Sequence, residues 1–192
     1  MENTLPHHLV NNRLAGPGAR FLKRILYLLA ALALVSSQGL AQANLVLSTS
    51  NANPAAGDNI TVTVGLETAA AQLIDVAEVH LDVDPSVLKI TGATVTNAAS
   101  TALPVGLVGL AFDGTAGTVD VSRGAFSSFP VADFTYLTID MEVLSDNETS
   151  IDFSFAFPRA TIHTFSGANV LGEANSLTIN ESTGPVDGDG DG

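Results

Sequence analysis

Beyond residue 44 the chain alternates between apolar and polar positions. In Asn59–Leu66 (NITVTVGL), Ile60, Val62, Val64 and Leu66 share one parity, while Thr61 and Thr63 take the other. The stretch from Val76 to Val83 sets Val79, Leu81 and Val83 against Glu78, His80 and Asp82. Successive side chains of a strand point to opposite faces, so a period of two predicts strands with one face in a core and one in water. The same reading places strands at 45–49, 88–95, 117–121, 134–144, 151–157 and 176–179. In the run 151–157, Ile151, Phe153, Phe155 and Phe157 share a parity, which predicts that these phenylalanines fill much of the core. No stretch carries a convincing helical period. The best helix candidate, Thr68–Leu73 (TAAAQL), is short enough to be a loop or a single turn.

Turn chemistry separates the runs. Ala56-Gly57-Asp58, Asp84-Pro85-Ser86, Asp113-Gly114 and Ser145-Asp146-Asn147 combine residues that take positive φ, fix φ, or cap their own backbone. About nine short strands punctuated this way predict an all-β fold, a two-sheet antiparallel β-sandwich with jelly-roll topology. An α/β fold would need amphipathic helices of about 10–15 residues between strands, and the sequence offers none.

The N-terminal part obeys a different pattern. Arg13, Arg20, Lys23 and Arg24 precede an unbroken apolar run from Ile25 to Val35, and Ala41-Gln42-Ala43 follows. A basic flank, a short apolar stretch and an Ala-x-Ala site form a secretory signal peptide, and the run falls short of the roughly 20 residues of a membrane span. The expected organisation is a leader with a polar lead over 1–43, a folded domain over 44–182 and an acidic Gly/Asp-rich tail over 183–192, with the mature chain outside the cell or at its surface.

Charge sharpens this picture. The 192 residues carry a net charge of −13. Removal of residues 1–43 leaves 19 acidic residues against Lys89, Arg123 and Arg159, a net charge of −16. Such a chain repels a phosphate backbone, which excludes nucleic acid as the expected partner. The absence of Cys excludes a disulfide scaffold and a thiolate zinc site, so the core alone must hold the exported domain together.

Candidate chemistry is sparse. Beyond the leader there are two histidines, His80 and His163, in no metal-ligand spacing, and neither a nucleophile elbow nor a phosphate loop is present. With no Trp and with Tyr136 as the one Tyr outside the leader, an aromatic sugar-stacking cleft is hard to build. A non-enzyme is expected. At the C-terminus Asp187, Asp189 and Asp191 occupy positions one, three and five of a calcium loop, with Gly192 at position six. They are the candidate calcium ligands. The second half of such a loop and its bidentate Glu are missing, so strong binding is not expected, and a flexible acidic linker explains the tail equally well.

Three features in order carry a family resemblance: Pro54-Ala-Ala-Gly-Asp58 leading into Ile60–Val64, the strand from Val76 that ends in Asp84-Pro85-Ser86-Val87-Leu88-Lys89-Ile90, and Gly92-Ala-Thr-Val95. This stretch resembles the cohesin domain, which has Gly-Asp before a Val-rich strand and then a strand closing in Tyr-Asp-Pro-x-Val-Leu. Val83 stands where cohesins often have the aromatic residue. The resemblance implies a sandwich that recognises another protein, a dockerin-like module or a surface protein, through one open sheet face. The Asp of the Asp-Pro pair lies on that face in several cohesins, and Asp84 corresponds to it. By alternation His80 and Asp82 share that side, so His80, Asp82 and Asp84 are the candidate partner-binding residues. Two other readings fit the same architecture: a carbohydrate-binding module serving polysaccharide breakdown, and a structural spacer of an envelope protein.

Overall fold

The computed structural model describes residues 42–68, 72–131 and 133–181. The leader and the tail, with Asp187, Asp189 and Asp191, lie outside them. Among the described residues twelve strands and one short helix follow in order: β1 (Ala43–Thr49), β2 (Asn59–Thr68), β3 (Gln72–Val83), β4 (Leu88–Val95), α1 (Asn97–Ala102), β5 (Val105–Asp113), β6 (Thr118–Val131), β7 (Phe134–Val143), β8 (Thr149–Phe153), β9 (Ile162–Phe165), β10 (Ala168–Asn169), β11 (Leu171–Ala174) and β12 (Leu177–Ile179). The expected all-β sandwich is what the chain forms, with more and shorter strands than the roughly nine read from alternation.

The first sheet has the order β11-β1-β2-β7-β4. The second runs β10-β9-β3-β6-β5, with β8 also paired to β3 and β12 to β8. All pairs are antiparallel except β1 with β11, which is parallel. The residues that alternation assigned to the inside are buried: Ile60, Val62, Val64 and Leu66 of β2 face Val79, Leu81 and Val83 of β3 across one apolar core. Tyr136 joins the layers, because its hydroxyl donates to the Ala77 carbonyl of the opposite sheet at 3.1 Å. Burial pushes the pKa of that phenol up.

β1 begins one residue before the expected domain start. Ala43 is fully buried, its N–H donates to the Val170 carbonyl at 3.0 Å, and it pairs with Thr68 and Leu171.

Local chemistry sets the turns. Gly57 takes φ +92°, a conformation that Gly adopts at no steric cost. Asp84 ends β3 as Pro85 requires, and Val87 and Leu88 then turn into the core. The carboxylate of Asp113 accepts from the N–H groups of Thr115 and Ala116, at 2.8 and 3.0 Å, and closes the β5–β6 turn.

Three expectations fail. A helix does form, α1 at 97–102, where Thr96 caps it by accepting from the Ala99 N–H at 3.1 Å; six residues are too few to show a period. The ends of the TAAAQL segment, Thr68 and Leu73, belong to β2 and β3, and residues 69–71 lie outside the described residues. The run 151–157 is not one strand: β8 stops at Phe153, which is buried, while Phe155 and Phe157 are exposed.

Candidate docking surface

The outward face of the second sheet gathers most of the unusual chemistry. β3 supplies Glu78, His80 and Asp82, which pair across the ladder with Ser122, Asp120 and Thr118 of β6. Along the other edge of β3, two strands share the available length. β8 pairs with residues 81–83 and β9 with residues 76–78. His80 lies at the gap between them. Its carbonyl accepts from the Ser154 N–H at 2.9 Å and from the Thr161 hydroxyl at 3.1 Å, and the Thr161 N–H donates to the Ser154 carbonyl at 2.8 Å. Ser154 and Thr161 thus pinch the chain together, and residues 155–160 leave the sheet as a flap.

The flap returns a cation to the sheet. Arg159 donates from Nε to Asp120 Oδ1 at 2.7 Å, from Nη1 to Asp82, and from Nη2 to the Leu81 carbonyl at 2.9 Å. The same Asp120 oxygen lies 2.7 Å from His80 Nδ1, and Glu78 is 3.8 Å from His80 Nε2. Partial burial would raise the pKa of Asp120, but its hydrogen bonds with His80 and Arg159, and their charges, outweigh that and hold it below the ordinary carboxylate range. Burial lowers the pKa of Arg159 while the two carboxylates raise it, and the net direction is upward. The centre of the face is therefore polar and largely satisfied from within.

Apolar groups flank that centre. On the flap side Phe155 and Phe157 are 58% and 95% exposed. On the far side of β6, edge strand β5 leaves Leu107 and Val108 about half exposed, while Phe112, opposite the core residue Val119, takes the other side of the sheet. Val108 stands opposite Ser122. Leu107 closes over Gly124, where a Cβ would lie 3.0 Å from both Leu107 Cδ1 and the Asp75 carbonyl. Large apolar side chains exposed in groups, rather than singly, mark interaction surfaces.

The structure brings two of the three sequence-predicted residues together. His80 and Asp82 lie on this face, His80 nearly buried beneath the Arg159–Asp120 pair. Asp84 stands apart in the turn beyond β3, where its carboxylate accepts from the Ser86 N–H at 2.8 Å and the Ser86 hydroxyl at 2.6 Å. Those bonds lower its pKa. Sequence reasoning missed Asp120, Arg159 and the exposure of Phe155 and Phe157. One signal was present: Arg159 is one of three cations beyond the leader, and it follows Pro158 directly after a run read as a core strand.

Comparison with known proteins bears on this architecture. No family model matches the sequence, and no curated protein does. Among solved structures, a type II cohesin domain from the cellulosome of Acetivibrio cellulolyticus superposes with a TM-score of 0.55 at 16% identity, over 73% of this chain and 95% of that one. The third ScaC cohesin of the same organism, solved in complex with the ScaB dockerin, gives 0.58 at 14% identity over 71% and 96%. A cohesin in the Coh-OlpA–Doc918 complex of Clostridium thermocellum gives 0.55 at 14% identity over 72% and 97%.

The chain has the cohesin fold.

Nearly the whole length of each of these cohesins is matched, so the likeness covers both sheets and not only the Pro54–Val95 segment that carried the sequence resemblance. The cohesin fold here includes the interrupted β8–β9 edge that places Arg159 over β3.

Proposed function

We propose that this chain is an exported, non-catalytic docking module that binds a protein partner, dockerin-like or a surface protein, through the outward face of its second sheet. One observation carries the reading: two exposed apolar strips, Phe155 with Phe157 and Leu107 with Val108, flank a polar centre whose Asp82 and Asp120 carboxylates are already engaged by Arg159. Interfaces concentrate their energy in a few apolar or aromatic anchors surrounded by satisfied polar groups. Two cohesins of the same fold are described in complexes with dockerins, which supports a protein as the ligand class. The basic flank, apolar run and Ala-x-Ala site of the leader support export.

Capture from the proteins exported by the host, with and without calcium, tests this reading. The expected result is saturable binding of a dockerin-like or surface protein, weakened more than about tenfold, or about 1.4 kcal/mol, by Phe155→Ala plus Phe157→Ala at unchanged melting temperature. Asp82→Ala plus Asp84→Ala tests the residues read from the sequence in the same assay. If no such partner is recovered, or if the phenylalanine variant retains full binding, the assignment of this face fails.

A further inference from the structure

The opposite side of the sandwich holds a groove that the docking surface does not use. It is an open groove of about 380 Å³ on the outward face of β1, β2 and β7, and Val46, Ser48, Thr63, Gly65, Glu67 and Thr135 line most of it. That volume falls within the range of small-ligand pockets. Its centre is Gly65, in the interior of β2, flanked by Val46 on β1 and Thr135 on β7.

Gly65 is the informative residue. A glycine inside a strand costs roughly 0.5–1 kcal/mol relative to a residue with a side chain. Nothing in the fold demands it. Its φ lies outside the left-handed region, and a Cβ built on it would meet only the Val46 carbonyl, at an ordinary 3.6 Å. The register shift between Val64 and Gly65 is taken up on the partner strand, where Tyr136 is the extra residue and is buried. A side chain at 65 would fit the protein and fill the groove. Glycine in a strand with space above it marks a place where something else approaches the backbone.

The lining says what approaches. Among the described residues, the hydroxyls of Ser48, Thr63 and Thr135 take no side-chain hydrogen bond, and the exposed Glu67 carboxylate has neither hydrogen-bond partner nor ion pair. Asp133, on the same rim, accepts from the Thr68 N–H at 2.8 Å. Two carboxylates in a chain of net charge −13 exclude an anionic ligand. Hydroxyls and carboxylates beside the apolar Val46 complement a neutral ligand with many hydroxyl groups and a partly apolar ring face. We propose that the Gly65 groove is a binding subsite for a short neutral oligosaccharide, recognised by hydrogen bonds rather than by aromatic stacking. The subsite lies on the other sheet from the docking face and does not depend on it.

Titration of the ¹⁵N-labelled protein with neutral cello-, xylo-, manno- and chito-oligosaccharides, and with tri-lysine as a cationic peptide probe, tests the proposal by amide chemical shifts. At least one sugar is expected to give saturable shifts confined to Ser48, Thr63, Gly65, Glu67 and Thr135. Gly65→Val should keep or raise the melting temperature and abolish those shifts. Thr63→Val should weaken binding severalfold, and Phe157→Ala should leave it unchanged, which separates this subsite from the docking face. Shifts with no sugar, shifts that survive Gly65→Val, or a response to tri-lysine alone would each overturn it.

Discussion

His80 and His163 stand on neighbouring strands of one sheet, three positions apart in the ladder, yet they live in opposite chemistry. His163 pairs with Ala77, whose side chain faces the core, and is fully buried with neither ring nitrogen hydrogen-bonded. His80 has the other parity, points outward, and meets Asp120 at 2.7 Å under the Arg159 flap. Burial alone depresses the pKa of His163, to about 4. The difference teaches that parity on a strand decides whether an imidazole acts as an apolar filler or as a member of a charged network, even when both are almost inaccessible to water.

The largest expected effect tests the core histidine. In the folded chain His163 stays neutral down to about pH 4, whereas the unfolded chain takes up its proton near pH 6.5. Stability is therefore full above pH 6.5 and falls as the pH drops towards 4, by about 3 kcal/mol over that window. Urea unfolding of the wild type and of His163→Leu across pH 7 to 4 measures it; a wild type as acid-resistant as the variant would refute the contrast. The depressed pKa of Asp120 acts in a lower window, because its stabilisation is lost only as the pH falls below the ordinary carboxylate range.

The outward histidine is tested next. Asp120→Ala deprives His80 and the Arg159 Nε of their shared acceptor, and a loss of about 2 kcal/mol is expected. Arg159→Ala leaves Asp82 and Asp120 partly in water and should cost about 1 kcal/mol or less. It should also speed hydrogen exchange at the Ser154 and Thr161 amides, because the flap loses its anchor to β3. Slow exchange in that variant would show that the Ser154–Thr161 pinch suffices.

The smallest effect concerns Phe157, which is 95% exposed. Phe157→Ala should change unfolding free energy by less than about 0.5 kcal/mol. A loss near that of a core phenylalanine, about 3 kcal/mol or more, would place this side chain inside the protein and remove it from the docking surface.

Much of the sandwich was legible because burial imposes a period of two. Ile60–Leu66 and Val79–Val83 announced which face met the core, and both sequences folded as read. The pattern misled at Phe155 and Phe157, where the parity continued but the strand did not: Pro158 and the pairing of β9 with residues 76–78 of β3 end β8 at Phe153. β5 escaped notice because an edge strand with most residues exposed carries no alternation. Asp120 and Arg159 are 39 residues apart in sequence, and no local pattern couples them.

The sequence by itself determined the all-β class, the inward and outward faces of β2 and β3, the turns at Gly57 and Asp84-Pro85, and the acidic balance, since each follows from neighbours a few positions apart. Only the tertiary structure decided that Arg159 closes over Asp82 and Asp120, that Phe155 and Phe157 face water, and that Gly65 lies at the bottom of a groove. Those features depend on strands brought together from distant parts of the chain, and the free energy that selects them comes from contacts that exist only after the two sheets have packed.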